Sequence, residues 1–242
     1  MGNAPLFEEL IRKRAGDRIN GKLMVDIASV YFESGDLSKA QALVDEISNE
    51  DSFAAIDKKE LQKKILKASG RTQELTSLII DQFNHHYSKY TLNELLEVVG
   101  VEARQKYCLA AIEKIAKQTT WNSSDAEFLV YCEAFDETEK YIMKHQGSLD
   151  GDYYSSLLPI AVAMEENNKP LAASLIYRAL LDSILARAIS KYYHHGVNYL
   201  EKLEVLSRKV IDWSSFASHQ TYFEGLKKTH ARKSSFWTRV NE

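Results

Sequence analysis

The chain has 242 residues and a formal net charge of −3, which allows one large domain or two small ones and excludes a polycation that binds nucleic acid over its whole surface. Apolar residues make up 45% and charged residues 27%, a balance that excludes wholesale disorder. The 10 Gly and 3 Pro are too few for an all-β domain, which needs a turn signal about every 8–12 residues.

The opening Met1-Gly2-Asn3-Ala4-Pro5-Leu6 has no apolar stretch of the signal-peptide kind. Leu6 stands where a myristoylation motif on Gly2 calls for Ser or Thr. From there the period is helical. Leu23, Ile27, Val30 and Tyr31 recur at i, i+4, i+7 and i+8 and share one helix face. Ser34-Gly35-Asp36 breaks the pattern: Gly35 can take the left-handed conformation that ends a helix, and Asp36 can cap the next. Leu37, Ala40, Val44 and Ile47 form the second face, so residues 22–49 predict a helical hairpin.

Further hairpins follow. Leu61, Ile65 and Leu66 lead through Ser69-Gly70-Arg71 to Leu75, Leu78, Ile79 and Phe83. Thr91 with Glu94, and Ser124 with Glu127, fit the capping box that satisfies orphan amides at a helix start. Gly100 divides a helix near 92–99 from one near 101–118. Asp125–Ala134 and Asp136–Gln146 form another pair, and Asp152 is the expected cap of the helix after the 148–152 turn. No stretch reads as a strand, and no apolar run approaches the 18 residues of a bilayer span.

Internal repetition carries the architecture. Ala28, Tyr31, Gly35, Ala40, Val44 and Ile47 recur, all shifted by 133 residues, as Ala161, Met164, Asn168, Ala173, Tyr177 and Leu180. Around Gly70 the pattern recurs with a shift of 35. Small residues at the crossing let two helices approach, large ones fill the groove one turn away, and Gly or Asn permits the reversal. The pattern resembles the tetratricopeptide repeat, clearly in 22–49, fairly in 155–184 and weakly between, without its Trp-x-x-Leu-Gly start or closing Pro. The resemblance implies an all-α fold of ten to twelve helices in antiparallel hairpins, stacked as a tetratricopeptide-like α-solenoid. N-terminal hairpins over 1–120 and C-terminal hairpins over 121–242 would then form one continuous stack.

Charge is uneven along the chain. Residues 186–242 hold 10 Lys+Arg against 5 Asp+Glu, whereas 121–185 hold 4 against 11. The basic stretch is interleaved with Tyr192, Tyr193, Tyr199, Trp213, Phe216, Tyr222, Phe223, Phe236 and Trp237, at spacings that fit helix packing better than base stacking. The run from Ala186-Arg187 through Ser190-Lys191-Tyr192-Tyr-His194-His to Tyr199-Leu200, with Trp213, His219, Tyr222 and His230-Ala-Arg232-Lys233-Ser-Ser-Phe236-Trp237, resembles the end of an uncharacterised bacterial family of helical proteins, a domain of unknown function. The likeness covers about 150–240 and brings no activity, substrate or catalytic residue. It implies a bacterial cytoplasmic protein and a longer parent chain.

The sequence carries no established motif of catalysis or metal binding. Cys108 and Cys132 form no CxxC, so the spacing encodes no zinc ribbon or redox pair, and both are expected as buried free thiols in a reducing compartment. His85-His86 and His194-His195 are adjacent rather than i,i+4, and neither HExxH nor a calcium loop occurs, so no metal is expected. No GxSxG, GxxxxGK or GxGxxG occurs, so neither a catalytic residue nor a cofactor is expected. One cluster remains. Arg187, Lys191 and His194 at i, i+4 and i+7 would project from one helix face, and His230, Arg232 and Lys233 could join them around an anion such as phosphate, carboxylate or a peptide terminus.

The expected function is a non-enzymatic protein–protein interaction scaffold. Its partner is a protein or peptide read on a concave groove that includes Tyr31, or at the basic terminal cluster. The alternative is nucleic-acid or phosphate-ligand binding through the basic C-terminal segment.

Overall fold

A computed structural model of the chain describes residues 3–48 and 54–241; Gly2 and the last residue of the 22–49 repeat lie outside them. Every regular element among the described residues is helical, with 14 α-helices and no strand. The count exceeds the ten to twelve expected because a left-handed Ala188 (φ 56°) separates two helices and the terminal stretch divides again at 230–233. The chain separates into two compact units, Met1–His85 and His86–Glu242, a division earlier than the 120/121 boundary read from the sequence.

The first unit comprises α1 (Ala4–Ala15), α2 (Gly21–Glu33), α3 (Leu37–Glu46), α4 (Ala55–Ala68) and α5 (Thr72–His85). Asn3, Asn20 and Asp36 cap the first three, each side chain accepting an amide of the first turn. The face of α2 that is fully shielded runs through Met24, Ile27, Ala28 and Tyr31; Leu23 and Val30 lie at its margin. It packs on Ala40, Leu43 and Val44 of α3 and on Leu61 and Ile65 of α4. Each large aliphatic side chain removed from water here contributes about 1.5–3 kcal/mol. Tyr31 is a correction: it lies in this core, 6% exposed, with its hydroxyl donating to Glu8 Oε2 at 2.8 Å, and so does not line an open groove.

The second unit comprises α6 (Lys89–Val99), α7 (Arg104–Lys117), α8 (Ser123–Tyr131), α9 (Phe135–Lys144), α10 (Tyr154–Glu166), α11 (Pro170–Arg187), α12 (Tyr193–Ser207), α13 (His219–Thr229) and α14 (Ser234–Val240). Three caps differ from expectation. Ser88 rather than Thr91 caps α6, with Thr91 as its reciprocal partner, and Asn122 rather than Ser124 caps α8. Before α10 it is Asp150, not Asp152, whose side chain accepts an amide. In each case the polar side chain nearest the true break in the helical path takes the orphan amide.

The hairpin turns are alike in both units. Gly35, Gly70, Glu133 and Asn168 all have positive φ. After each, the next amide bonds the carbonyl five residues back: Asp36 to Tyr31 at 3.0 Å, Arg71 to Leu66 at 3.0 Å, Ala134 to Leu129 at 3.0 Å and Lys169 to Met164 at 2.8 Å. This pairing ends a helix while satisfying carbonyls that would otherwise stay orphaned. The six positions that recur with the 133-residue shift behave alike. Ala28, Ala40, Ala161 and Ala173 have no exposed surface, and Gly35 and Asn168 occupy the reversal.

In the second unit α11 is the central element. It packs against α9, α10 and α12, so apolar residues surround it on all sides instead of forming one stripe. Gly151, in the 3-10 turn before α10, presses main chain onto it: a Cβ there would fall 2.1 Å from the Ala179 carbonyl oxygen. The terminal aromatics pack inward. Phe236 is fully buried, edge-on to Tyr193 at 5.5 Å, and Trp237 Nε1 donates to the His230 carbonyl at 2.8 Å.

Candidate binding cleft

The outer turns of α11, the 146–151 loop and residues 215–222 enclose a cleft of about 730 Å³. Its floor is set by the i,i+4 spacing of Arg178 and Asp182 on α11. Arg178 is 6% exposed. Its guanidinium lies between two rings, 4.4 Å from the Trp213 centroid and 4.6 Å from that of Tyr222, and Nη1 donates to the Ala217 carbonyl at 2.8 Å. Its Nε and Nη2 meet no acceptor. Arg71, by contrast, uses that same pair of nitrogens to clamp Glu74. Burying a cation without a paired carboxylate costs several kcal/mol. Two ring faces offset part of this, at about 0.5–2 kcal/mol each, and Asp182 lies one turn away. Burial pulls the Arg178 guanidinium below its ordinary value, against the opposing pull of Tyr222 and Asp182.

Asp182 is open to the cleft yet walled by protein, and that wall raises its carboxyl above the ordinary aspartate range. The Tyr222 hydroxyl, which donates to Asp182 Oδ1 at 2.7 Å, works in the other direction, as do His230 and Arg178. Burial and the adjacent carboxylate push the Tyr222 phenol far up, so it remains a donor. Behind this wall His219 Nε2 meets Glu204 Oε2 at 3.1 Å, joining α13 to α12, while burial holds the imidazole below its ordinary value. Gln146, Asp150 and the serines at 148, 183 and 215 complete the polar lining. The groups offered to a ligand are therefore mostly acceptors and small hydroxyls, with two carboxylates against a single guanidinium.

A second cavity of about 230 Å³ shares Gly151 with the cleft. Leu158, Leu180, Ile184, Tyr154 and Tyr199 make it largely apolar, and Arg187 and His195 stand at it as well.

Not all the residues expected to converge on an anion do so. Arg187, Lys191 and His194 do not share a helix face, because α11 ends at Arg187 and the left-handed Ala188 redirects the chain. Lys191 falls in a 3-10 turn and His194 in α12. Arg187 and Lys191 still gather over one ring, 5.9 and 4.8 Å from the Tyr192 centroid. Arg187 is also paired, its Nε 3.4 Å from Asp152 Oδ1, and the His194 ring lies tilted against that of His195, centroids 3.9 Å apart. His230, Arg232 and Lys233 lie in the connection from α13 to α14. His230 is within electrostatic reach of Asp182; burial and then Lys233 push it below its ordinary value. Arg232 is exposed and Lys233 half-buried.

Arg178, Asp182 and Asp150, the charged groups that line the larger cleft, are not among the site residues expected from the sequence. Arg178 sits in an apolar helix one residue after a repeat position, and a lone buried arginine in such a run was the available signal. Among the described residues no group of three or more His, Cys, Asp or Glu side chains could hold a metal ion, and no helix is long and apolar enough to cross a membrane.

The fold and the cleft define an all-helical protein with a concave, mixed-polarity surface on one central helix. The chain belongs to a family of unknown function (DUF6880), whose model matches residues 11–239. The match covers nearly the whole chain. No curated protein and no solved structure matches the chain.

Proposed function

We propose that the chain is a non-enzymatic protein-interaction module, built from tetratricopeptide-like hairpins stacked as a solenoid, that takes an extended peptide segment of a partner protein. The observation that carries this reading is the pair of cavities that meet at Gly151, one polar and acidic, the other apolar. An extended chain places successive side chains on opposite faces and offers main-chain donors between them. Such a segment would set an apolar side chain against Leu158, Ile184 and Tyr199 and a basic one against Asp150 and Asp182. The repeated hairpins supply rigid helices on which such a surface is held.

The phosphate-ligand alternative has less behind it. Arg187 is engaged by Asp152, and the larger cleft presents two carboxylates to an incoming phosphate.

Peptide display on the immobilised full chain tests the reading. Selected peptides should be rich in Lys or Arg next to a large apolar residue. They should lose at least tenfold in affinity, about 1.4 kcal/mol, on Ala186→Trp and Ser215→Trp, which fill the cleft from exposed positions. Peptides that bind these variants as they bind the parent chain would overturn it. Titration with single-stranded RNA at two ionic strengths tests the alternative, which requires binding that falls steeply with salt.

A further inference from the structure

The two cysteines, 24 residues apart in sequence, lie with their sulfurs 2.7 Å from each other. Both are free thiols, as expected, but only Cys108 is fully buried, and the sequence spacing did not point to their proximity. Cys108 is on α7, and Cys132 is the residue that ends α8. What brings them together is a clamp one helical turn away. Arg104, the first residue of α7, donates from Nη1 to the Tyr131 hydroxyl and from Nη2 to the Tyr131 carbonyl, both at 3.1 Å. The Tyr131 hydroxyl in turn donates to Asn93 Oδ1 at 3.1 Å. Tyr131 immediately precedes Cys132, and Cys108 lies four residues after Arg104. The clamp therefore fixes the register of α7 against the α8–α9 turn, and the two sulfurs fall opposite each other.

We propose that Cys108 and Cys132 form a reversible dithiol–disulfide site that takes a small-molecule disulfide as its oxidant. Cys132 is half-buried and Cys108 buried, so the reagent meets Cys132 first. The Cys132 thiol gives its proton to water, and the thiolate attacks one sulfur of the small disulfide. That S–S bond breaks, and one half leaves as a thiolate that takes up a proton. The Cys108 thiol then gives its proton to water, its thiolate attacks Cys132 Sγ, and the second half leaves as a thiolate that also takes up a proton. The protein loses two electrons and two protons, and one small disulfide becomes two thiols.

Two features of the site set its behaviour. The Arg104 guanidinium favours the Cys132 thiolate electrostatically. Burial and the neighbouring sulfur hold the Cys132 thiol well above its ordinary range. The first attack is therefore slow near neutral pH and quickens as pH rises. Closure, once the mixed disulfide exists, needs no helix movement. The site differs from a CxxC redox motif in that folding, and not local sequence, makes the pair.

The test equilibrates the full chain in buffers of reduced and oxidised glutathione, quenches with acid, alkylates in denaturant and reads the intact mass. The expected product lacks two hydrogens and carries no alkyl group and no glutathione, and dithiothreitol restores two alkylatable thiols. Half-conversion should come at an at least tenfold more reducing glutathione ratio for the folded chain than for the chain held unfolded in urea. Cys108→Ser should stop at a single glutathione adduct on Cys132. Two free thiols, or glutathione adducts alone, in the most oxidising buffer would overturn the proposal. So would equal half-conversion ratios for folded and unfolded chain, since native geometry would then contribute nothing. Arg104→Lys supplies an independent check: it keeps the charge but loses the two-pronged clamp on Tyr131, and it should move half-conversion toward the unfolded value.

Discussion

The α2–α3 and α10–α11 hairpins share a skeleton and differ in what they support. In both, two alanines without exposed surface form the crossing and a left-handed residue makes the reversal. In α2–α3 the second helix is 10 residues long and ends at Glu46. In α10–α11 it runs for 18 residues, to Arg187. The first three turns of α11 repeat the packing of α3; the added length carries Asp182, Ser183 and Ala186 into the cleft. Arg178 corresponds to Asp45, which is exposed and accepts from Gln41 at 2.8 Å. One position is thus solvated in one hairpin and roofed by Trp213 and Tyr222 in the other. Shared spacing fixes how two helices cross, and what packs on top decides whether a position becomes part of a site.

The largest difference expected between the hairpins lies at the groove-filling position. Tyr177 has no exposed surface and donates to Glu165 Oε2 at 2.9 Å, while its counterpart Val44 is equally buried but smaller. Tyr177→Ala should cost about 4 kcal/mol in urea unfolding, and Val44→Ala about 2. The three tryptophans, Trp121, Trp213 and Trp237, all belong to the second unit. Their fluorescence therefore reports the Tyr177 change, and the Val44 change is read from helical ellipticity. Equal losses would mean that the two grooves are not built alike.

Next in size is the roofed position. Arg178→Ala should destabilise by about 3 kcal/mol, because it empties the space between two rings and removes the hydrogen bond to the Ala217 carbonyl. Arg178→Met keeps most of the volume and removes the buried charge, so its loss should be smaller, about 1 kcal/mol or less. Asp45→Ala, at the corresponding exposed position, should stay within about 0.5 kcal/mol. If Arg178→Met costs as much as Arg178→Ala, the guanidinium hydrogen bond to Ala217 matters more than its packing.

The second unit should also respond to acid in a way the α2–α3 hairpin cannot. Burial holds His145, His219 and His230 below the ordinary imidazole value of 6.5, and residues 21–46 contain no histidine. Below that value the unfolded chain binds protons that the folded chain refuses, so stability rises with pH across this window and falls as the solution is acidified through it. Tryptophan-monitored urea midpoints should drop between about pH 7.5 and pH 5.5, and His145→Phe should flatten the drop. A midpoint independent of pH would mean that these imidazoles charge as freely when folded as when unfolded.

Much of this architecture was legible in the sequence, and the part that was not has identifiable causes. Helical periods and the Gly35, Gly70 and Asn168 reversals were visible because Gly and Asn accept positive φ at little cost. Glu133 makes the same turn at φ 58°, but glutamate carries no mark of that conformation, and the 125–146 hairpin could not be aligned with the others. The Cys108–Cys132 pair was invisible for a related reason. Its proximity depends on the Arg104 clamp to a main-chain carbonyl, and no local spacing encodes that contact. The supposed cationic face of Arg187, Lys191 and His194 failed at Ala188, where an alanine in the left-handed region broke a helix that periodicity alone would continue. The cleft itself needed the 209–218 segment to fold back over α11, a long-range event without a motif.

The smallest expected effects test the turns themselves. If Gly35, Gly70, Glu133 and Asn168 occupy one conformation for one reason, substitutions at them should sort by residue type, whichever unit they lie in. Glu133→Gly relieves a side chain held at positive φ and should stabilise the second unit by about 1 kcal/mol. Asn168→Gly starts from a residue that tolerates this region and should gain only about 0.5 kcal/mol or less. Gly35→Ala goes the other way and should lose about 1 kcal/mol, although a Cβ there meets nothing within 4 Å. Because the space is open, the loss would be conformational and not steric. Thermal midpoints of the three variants separate the cases. A neutral Gly35→Ala would show that the hairpin can reverse without its left-handed residue, and the likeness between the four turns would then be geometric coincidence rather than a shared requirement.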